Sequence, residues 1–86
     1  MKLAEFRVKQ LARLLKLEEM LIERYPEKAD RIRFLVETLV QKLRFLRTRN
    51  LANYINTIYQ ASKEFPEFRE LLPKPEELEV ERSGVH

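Results

Sequence analysis

The sequence predicts an all-α fold, a small helical bundle built as an antiparallel helical hairpin plus a third helix. Three observations predict it. Glu27 to Phe65 contains neither glycine nor proline and is rich in Leu, Arg, Glu, Lys and Gln, which lose little in a helix interior. The only glycine of the 86 residues is Gly84, whereas strands joined by tight turns need several residues at positive φ. Apolar residues recur with the 3.6-residue period of an amphipathic helix through most of the chain.

The first helix is expected from about Lys2 to Tyr25. On a helical wheel Leu3, Leu11, Leu14, Leu15, Leu21, Ile22 and Tyr25 gather on one broad face, with Phe6, Val8 and Leu17 at its margins. Pro26 makes continuation unfavourable, because it has no N–H and drives Tyr25 out of the helical region. Asp30 is a candidate N-cap for the second helix, and the alternative is a helix that starts at Pro26 itself.

The second helix carries Ile32, Leu35, Val36, Leu39, Val40, Leu43 and Leu46 on one face. Beyond Arg47 the apolar face moves. Leu51, Tyr54, Ile55, Ile58, Ala61 and Phe65 centre about 80° further round. A straight helix buried along one seam does not rotate its face abruptly, so a break is expected at Thr48 to Asn50, where Thr48 and Asn50 are both good N-caps. The rival is one continuous helix, roughly 58 Å long, whose two halves face different partners, an arrangement that needs a dimer. Phe65-Pro66 ends this segment, and Glu67 to Leu72 reads as a short helical turn docking Phe68, Leu71 and Leu72. Residues 1–72 thus form one domain. Residues 73–86 read as an acidic, poorly ordered tail.

Composition narrows the function classes. With no cysteine, disulfides, thiolate zinc sites and cysteine nucleophiles are excluded. No apolar run approaches eighteen residues and no signal-peptide pattern is present, so no membrane association is expected, and the expected location is cytoplasmic. Abundant Glu, Lys and Arg with almost no glycine also suit a heat-adapted, thermostable protein. His86 is the sole histidine, and it stands at the last position. No catalytic set, metal-ligand spacing or Gly-rich phosphate loop is present, so neither enzymatic activity nor a cofactor or metal is expected.

Charge is unevenly placed. Met1 to Arg49 holds 13 Lys/Arg against 7 Asp/Glu, and Asn50 to His86 holds 4 against 7. Lys2, Lys9, Arg13, Lys16 and Arg24 fall on one stripe of the first helix, which is able to track a phosphate backbone or simply to face water. The acidic tail is complementary to this stripe, within a chain or between chains.

Phe34 and Phe45 are a more specific anomaly. They lie opposite the Leu/Val face of the second helix, with Arg31, Lys42 and Arg49 beside them. They pack under the C-terminal segment, form an oligomer interface, or stack on bases with the cations on phosphates. The expected function is a non-enzymatic helical protein-interaction module: an adaptor or a small regulatory or structural subunit, forming a homodimer or holding a protein partner. Its interface residues are expected to be Phe34, Phe45, Leu51, Tyr54 and Ile58. The alternative is a DNA- or RNA-binding protein with Lys9, Arg13, Lys16, Arg31, Lys42 and Arg49 on the phosphates.

Overall fold

The computed structural model describes residues 2–79. Helix α1 spans Leu3–Arg24, α2 Ala29–Arg44 and α3 Leu51–Ser62, and four short 3₁₀ segments accompany them among the described residues. The molecule is elongated, 50 × 21 × 18 Å, because α1 alone is 22 residues, roughly 33 Å long.

Each boundary has a local cause. At the start of α1 the Lys2 N–H donates to Glu5 Oε1 at 3.1 Å, satisfying a backbone donor that the helix leaves open. At its end Tyr25 leaves the helical region ahead of Pro26, as the steric demand of proline requires. Pro26–Lys28 form one 3₁₀ turn that runs directly into α2. The second helical segment therefore begins at the proline, not at an Asp30 cap. Asp30 lies in the first turn of α2 and reaches Arg33 at 3.4 Å.

The chain bends between α2 and α3. Asn50 explains how. Its Oδ1 accepts the Arg47 N–H at 2.8 Å, and its Nδ2 donates to the Phe45 carbonyl at 3.3 Å. One amide thus satisfies a donor and an acceptor that a continuous helix would have paired internally. The segment Thr48–Asn50 is a single 3₁₀ turn leading into α3. After α3 the chain reaches Phe65-Pro66 and forms a six-residue 3₁₀ segment, Pro66–Leu71. Such runs are uncommon beyond three or four residues. This one is anchored by Phe68 and Leu71, both fully buried.

The core draws on all three α-helices and on the Pro66–Leu71 segment. Phe6, Leu14, Leu17 and Leu21 of α1 meet Ile32, Val36, Leu39 and Leu43 of α2, and the α2–α3 connection adds Leu46. Tyr54, Ile58 and Ala61 of α3, then Phe65, Phe68 and Leu71, close it. Phe65 stands between two rings, 5.6 Å from Tyr25 and 6.3 Å from Phe68 by centroid, within the range of favourable aromatic pairs.

On α1 the buried face differs from the expected one. Phe6 and Leu17, placed at its margin by the helical wheel, lie at its centre, and Gln10 is buried with them. Leu11 and Leu15 are exposed instead. The reason is that α1 is apolar over more than half its circumference. Its own pattern does not choose which half faces inward, and the position of α3 does.

The segment from Pro73 was expected to be a poorly ordered tail. Within the described residues it makes a further 3₁₀ turn, Pro75–Glu79, with the Glu77 side chain buried. The expectation for 80–86 lies outside the described residues. Among the described residues no helix is long and apolar enough to cross a membrane.

Candidate functional site

The outer face of α2 begins with spacing. Phe34 projects from one side of α2, and Phe45, eleven residues on, is the C-cap just past its last turn. That side is opposite Ile32, Val36, Leu39 and Leu43, which are buried. Phe34 is 60% exposed and Phe45 63%. Neither ring packs under the described part of the C-terminal segment.

Cations rim both rings. The Arg31 guanidinium lies 5.3 Å from the centre of the Phe34 ring, in cation–π range. It is held there by a two-pronged pair with Glu64, in which Arg31 Nε donates to Oε1 at 2.7 Å and Nη2 donates to Oε2. The hydrogen bonds with Glu64 raise the Arg31 pKa, and the same bonds lower that of Glu64. Around Phe45 the end of α2 and the start of α3 enclose a shallow recess of about 330 Å³, lined also by Gln41, Lys42, Asn50 and Asn53. Lys42 Nζ donates to Asn53 Oδ1 at 3.0 Å, tying the two helices at the recess floor. Arg49 is exposed nearby on the connecting turn.

Three residues expected at the interface are placed differently. Tyr54 and Ile58 are core residues, and Leu51 is partly buried against the core. The cause is the break at residues 45–47, just ahead of the expected Thr48–Asn50, which turns the apolar face of α3 back onto α1 and α2. Burial pushes the Tyr54 hydroxyl pKa upward, with the Arg13 charge acting weakly the other way.

The expected phosphate-binding residues are not one open set. Lys9 and Lys16 are exposed on α1. Arg13 between them is engaged by Glu77, at 3.3 Å through Nη1 and 3.1 Å through Nη2. Arg24, at the end of the stripe, pairs with Glu67 at 2.8 Å, and Arg31 and Lys42 have the partners described above. Burial opposes ionisation of Glu67, but bonds from its own backbone N–H, Arg24 and Tyr25 outweigh that and hold its pKa below the ordinary carboxylate value. The carboxylates that take these arginines come from Glu64 onward. Their pairing across 33 to 64 residues left no local sequence signal beyond the charge asymmetry of the two halves.

Among the described residues no group of three or more His, Cys, Asp or Glu side chains is placed to hold a metal ion. The arrangement is two solvent-facing aromatic rings, one on the outer face of α2 and one at its C-terminal end, with Arg31 and Lys42 beside them. No family model, curated protein or solved structure matches the chain.

Proposed function

We infer that this protein is a non-enzymatic helical interaction module, an adaptor or a small regulatory or structural subunit, and that the outer face of α2 holds its protein partner. One observation carries the reading: Phe34, on the side of α2 that faces away from the core, and Phe45, at that helix's C-cap, stand 60% and 63% exposed. Large exposed rings cost solvation, and such aromatic anchors are where binding energy concentrates. Lys42 and Arg49 fit a partner with an apolar patch bordered by carboxylates. Self-association belongs to the same reading.

Phosphate-backbone binding is the weaker reading, because Arg13 and Arg31 are already engaged by Glu77 and Glu64.

The test is the double variant Phe34→Ser with Phe45→Ser. Its helicity should match the wild type, since both rings lie off the core. It should fail to retain the protein that copurifies with the wild type and binds the purified chain. Undiminished binding at wild-type helicity overturns the assignment of this face.

A further inference from the structure

Helix α1 carries a second apolar stripe besides the buried one. Ala4, Val8, Leu11, Leu15 and Ile22 follow at spacings that alternate four and three, with Glu18 occupying the one missing position. This is the spacing of a heptad seam, with Val8, Leu15 and Ile22 at one seam position and Ala4, Leu11 and Glu18 at the other. Only Ile22 of the stripe packs partly against the core. Val8 is 68% exposed, Leu15 47% and Leu11 38%.

The open stripe has a definite place in the fold. Gln10 and Arg13, on one flank of α1, reach Tyr54 and Glu77, and on α2 Arg31 and Lys42 reach Glu64 and Asn53. All these contacts put α3 and the C-terminal turns on one side of the α1–α2 hairpin. On the other side Val8 and Leu11 of α1 and Val40 and Leu43 of α2 line a groove of about 290 Å³, with Arg7 and Arg44 at its edge. The hairpin is therefore covered on one face only, as is one half of a four-helix layer.

We propose that a second copy of this chain covers that face, with the two α1 helices packed antiparallel across a two-fold axis. The claim rests on the reading of the protein as a self-associating module, and it places the copy-to-copy contact away from Phe34 and Phe45.

Charge selects this occupant and this direction. The first two-thirds of α1 holds Arg7, Lys9, Arg13 and Lys16 against Glu5, and its last turns hold Glu18, Glu19 and Glu23 against Arg24. Among the described residues Glu18, Glu19 and Glu23 make no ion pair within the chain. Parallel pairing would set like charges abreast. Antiparallel pairing sets the acidic end of one helix beside the basic part of the other, and a two-fold interface repeats the match.

The seam register agrees. With the axis at residue 13, Leu11 of each copy meets Leu15 of the other at the centre, and Ile22 meets Ala4 at the ends. Glu18 then meets Val8, flanked in sequence by Arg7 and Lys9. The one polar residue in the seam thereby falls beside the partner's cations, where it fixes register at some cost in stability.

The experiment is mass in solution by analytical ultracentrifugation over a concentration series, with circular dichroism as the control. The wild type should sediment at twice the 10.4 kDa chain mass. Leu11→Lys with Leu15→Lys should be monomeric at unchanged helicity. If that variant loses helicity, Val8→Lys, at a more exposed position, takes its place and should weaken the dimer. Glu18→Lys alone, and Arg7→Glu with Lys9→Glu, should each raise the dimer dissociation constant about tenfold or more. The combined charge reversal should recover most of that loss, which a merely destabilised chain would not do. A monomeric wild type, a dimer indifferent to Leu11, Leu15 and Val8, or charge reversals without recovery overturns the proposal. Phe34→Ser with Phe45→Ser should leave the dimer mass unchanged. If those changes alone abolish the dimer, the α1 assignment falls while the reading as an interaction module stands. If they change neither the mass nor partner binding, the assignment of α2's outer face falls while the α1 contact stands.

Discussion

Tyr54 donates its hydroxyl to Gln10 Oε1 at 2.8 Å inside the core, joining α3 to α1 across 44 residues of sequence. Both side chains are almost fully buried, and Gln10 Nε2 has no hydrogen-bond partner among the described residues. A lone polar pair in an apolar core adds little net stability. It is costly to break, because the surviving member keeps its desolvation penalty.

Tyr54→Phe should therefore destabilise the fold by about 1–3 kcal/mol, by stranding the Gln10 amide. Adding Gln10→Leu should restore much of the loss, since an apolar side chain leaves nothing unpaired. Urea unfolding of the two single variants and the double one measures the coupling. Additive losses would show that the bond is not what holds these residues together.

A second prediction concerns Glu77 and acid. Burial pushes its pKa up, but the Lys74 N–H, the Arg13 guanidinium and the charges of Arg13 and Lys9 prevail and hold it below the ordinary value of 4.5. The Lys74 N–H lies 3.0 Å from Glu77 Oε1. In this range the unfolded chain binds the proton more readily than the folded one, so the contribution is complete above about pH 4.5 and is lost as pH falls through the folded value. Glu77→Gln should cost about 1 kcal/mol near neutrality, a modest figure because the Arg13 side chain remains 38% exposed. The corresponding fall in melting temperature is about 4–8 °C. That difference from the wild type should shrink as melting is followed below pH 4.5. A difference that is constant down to pH 2.5 would assign the stabilisation to packing instead of charge.

The bend makes a third prediction. Asn50 bonds both the Arg47 N–H and the Phe45 carbonyl, so Asn50→Ala should cost about 1 kcal/mol, in the range of other lost helix caps. Asn50→Asp keeps the acceptor and loses the donor, and should fall between the two. Thermal unfolding orders the three proteins. Equal stability of the alanine variant and the wild type would mean that apolar burial alone imposes the bend.

The candidate site was partly legible. On α2 the apolar residues occupy a narrow arc, so Phe34 and Phe45 fall outside it by spacing alone, and the structure exposes both. Tyr54 and Ile58 were not legible as core residues. Their face became inward only when the turn at Thr48–Asn50 set the direction of α3.

What the sequence by itself determined is the set of helices and most of their ends. Those depend on local chemistry: Pro26 and Pro66 lack the donor a helix needs, and Asn50 offers the backbone alternative bonds. The inward face of α2 belongs with them, because only one arc of that helix is apolar. Only the tertiary structure decided which half of α1 is buried, that Gln10 enters the core, and that Glu77 closes on Arg13. These outcomes depend on residues 44 to 64 positions apart meeting in space, and no local pattern encodes which of two apolar stripes a third helix will cover.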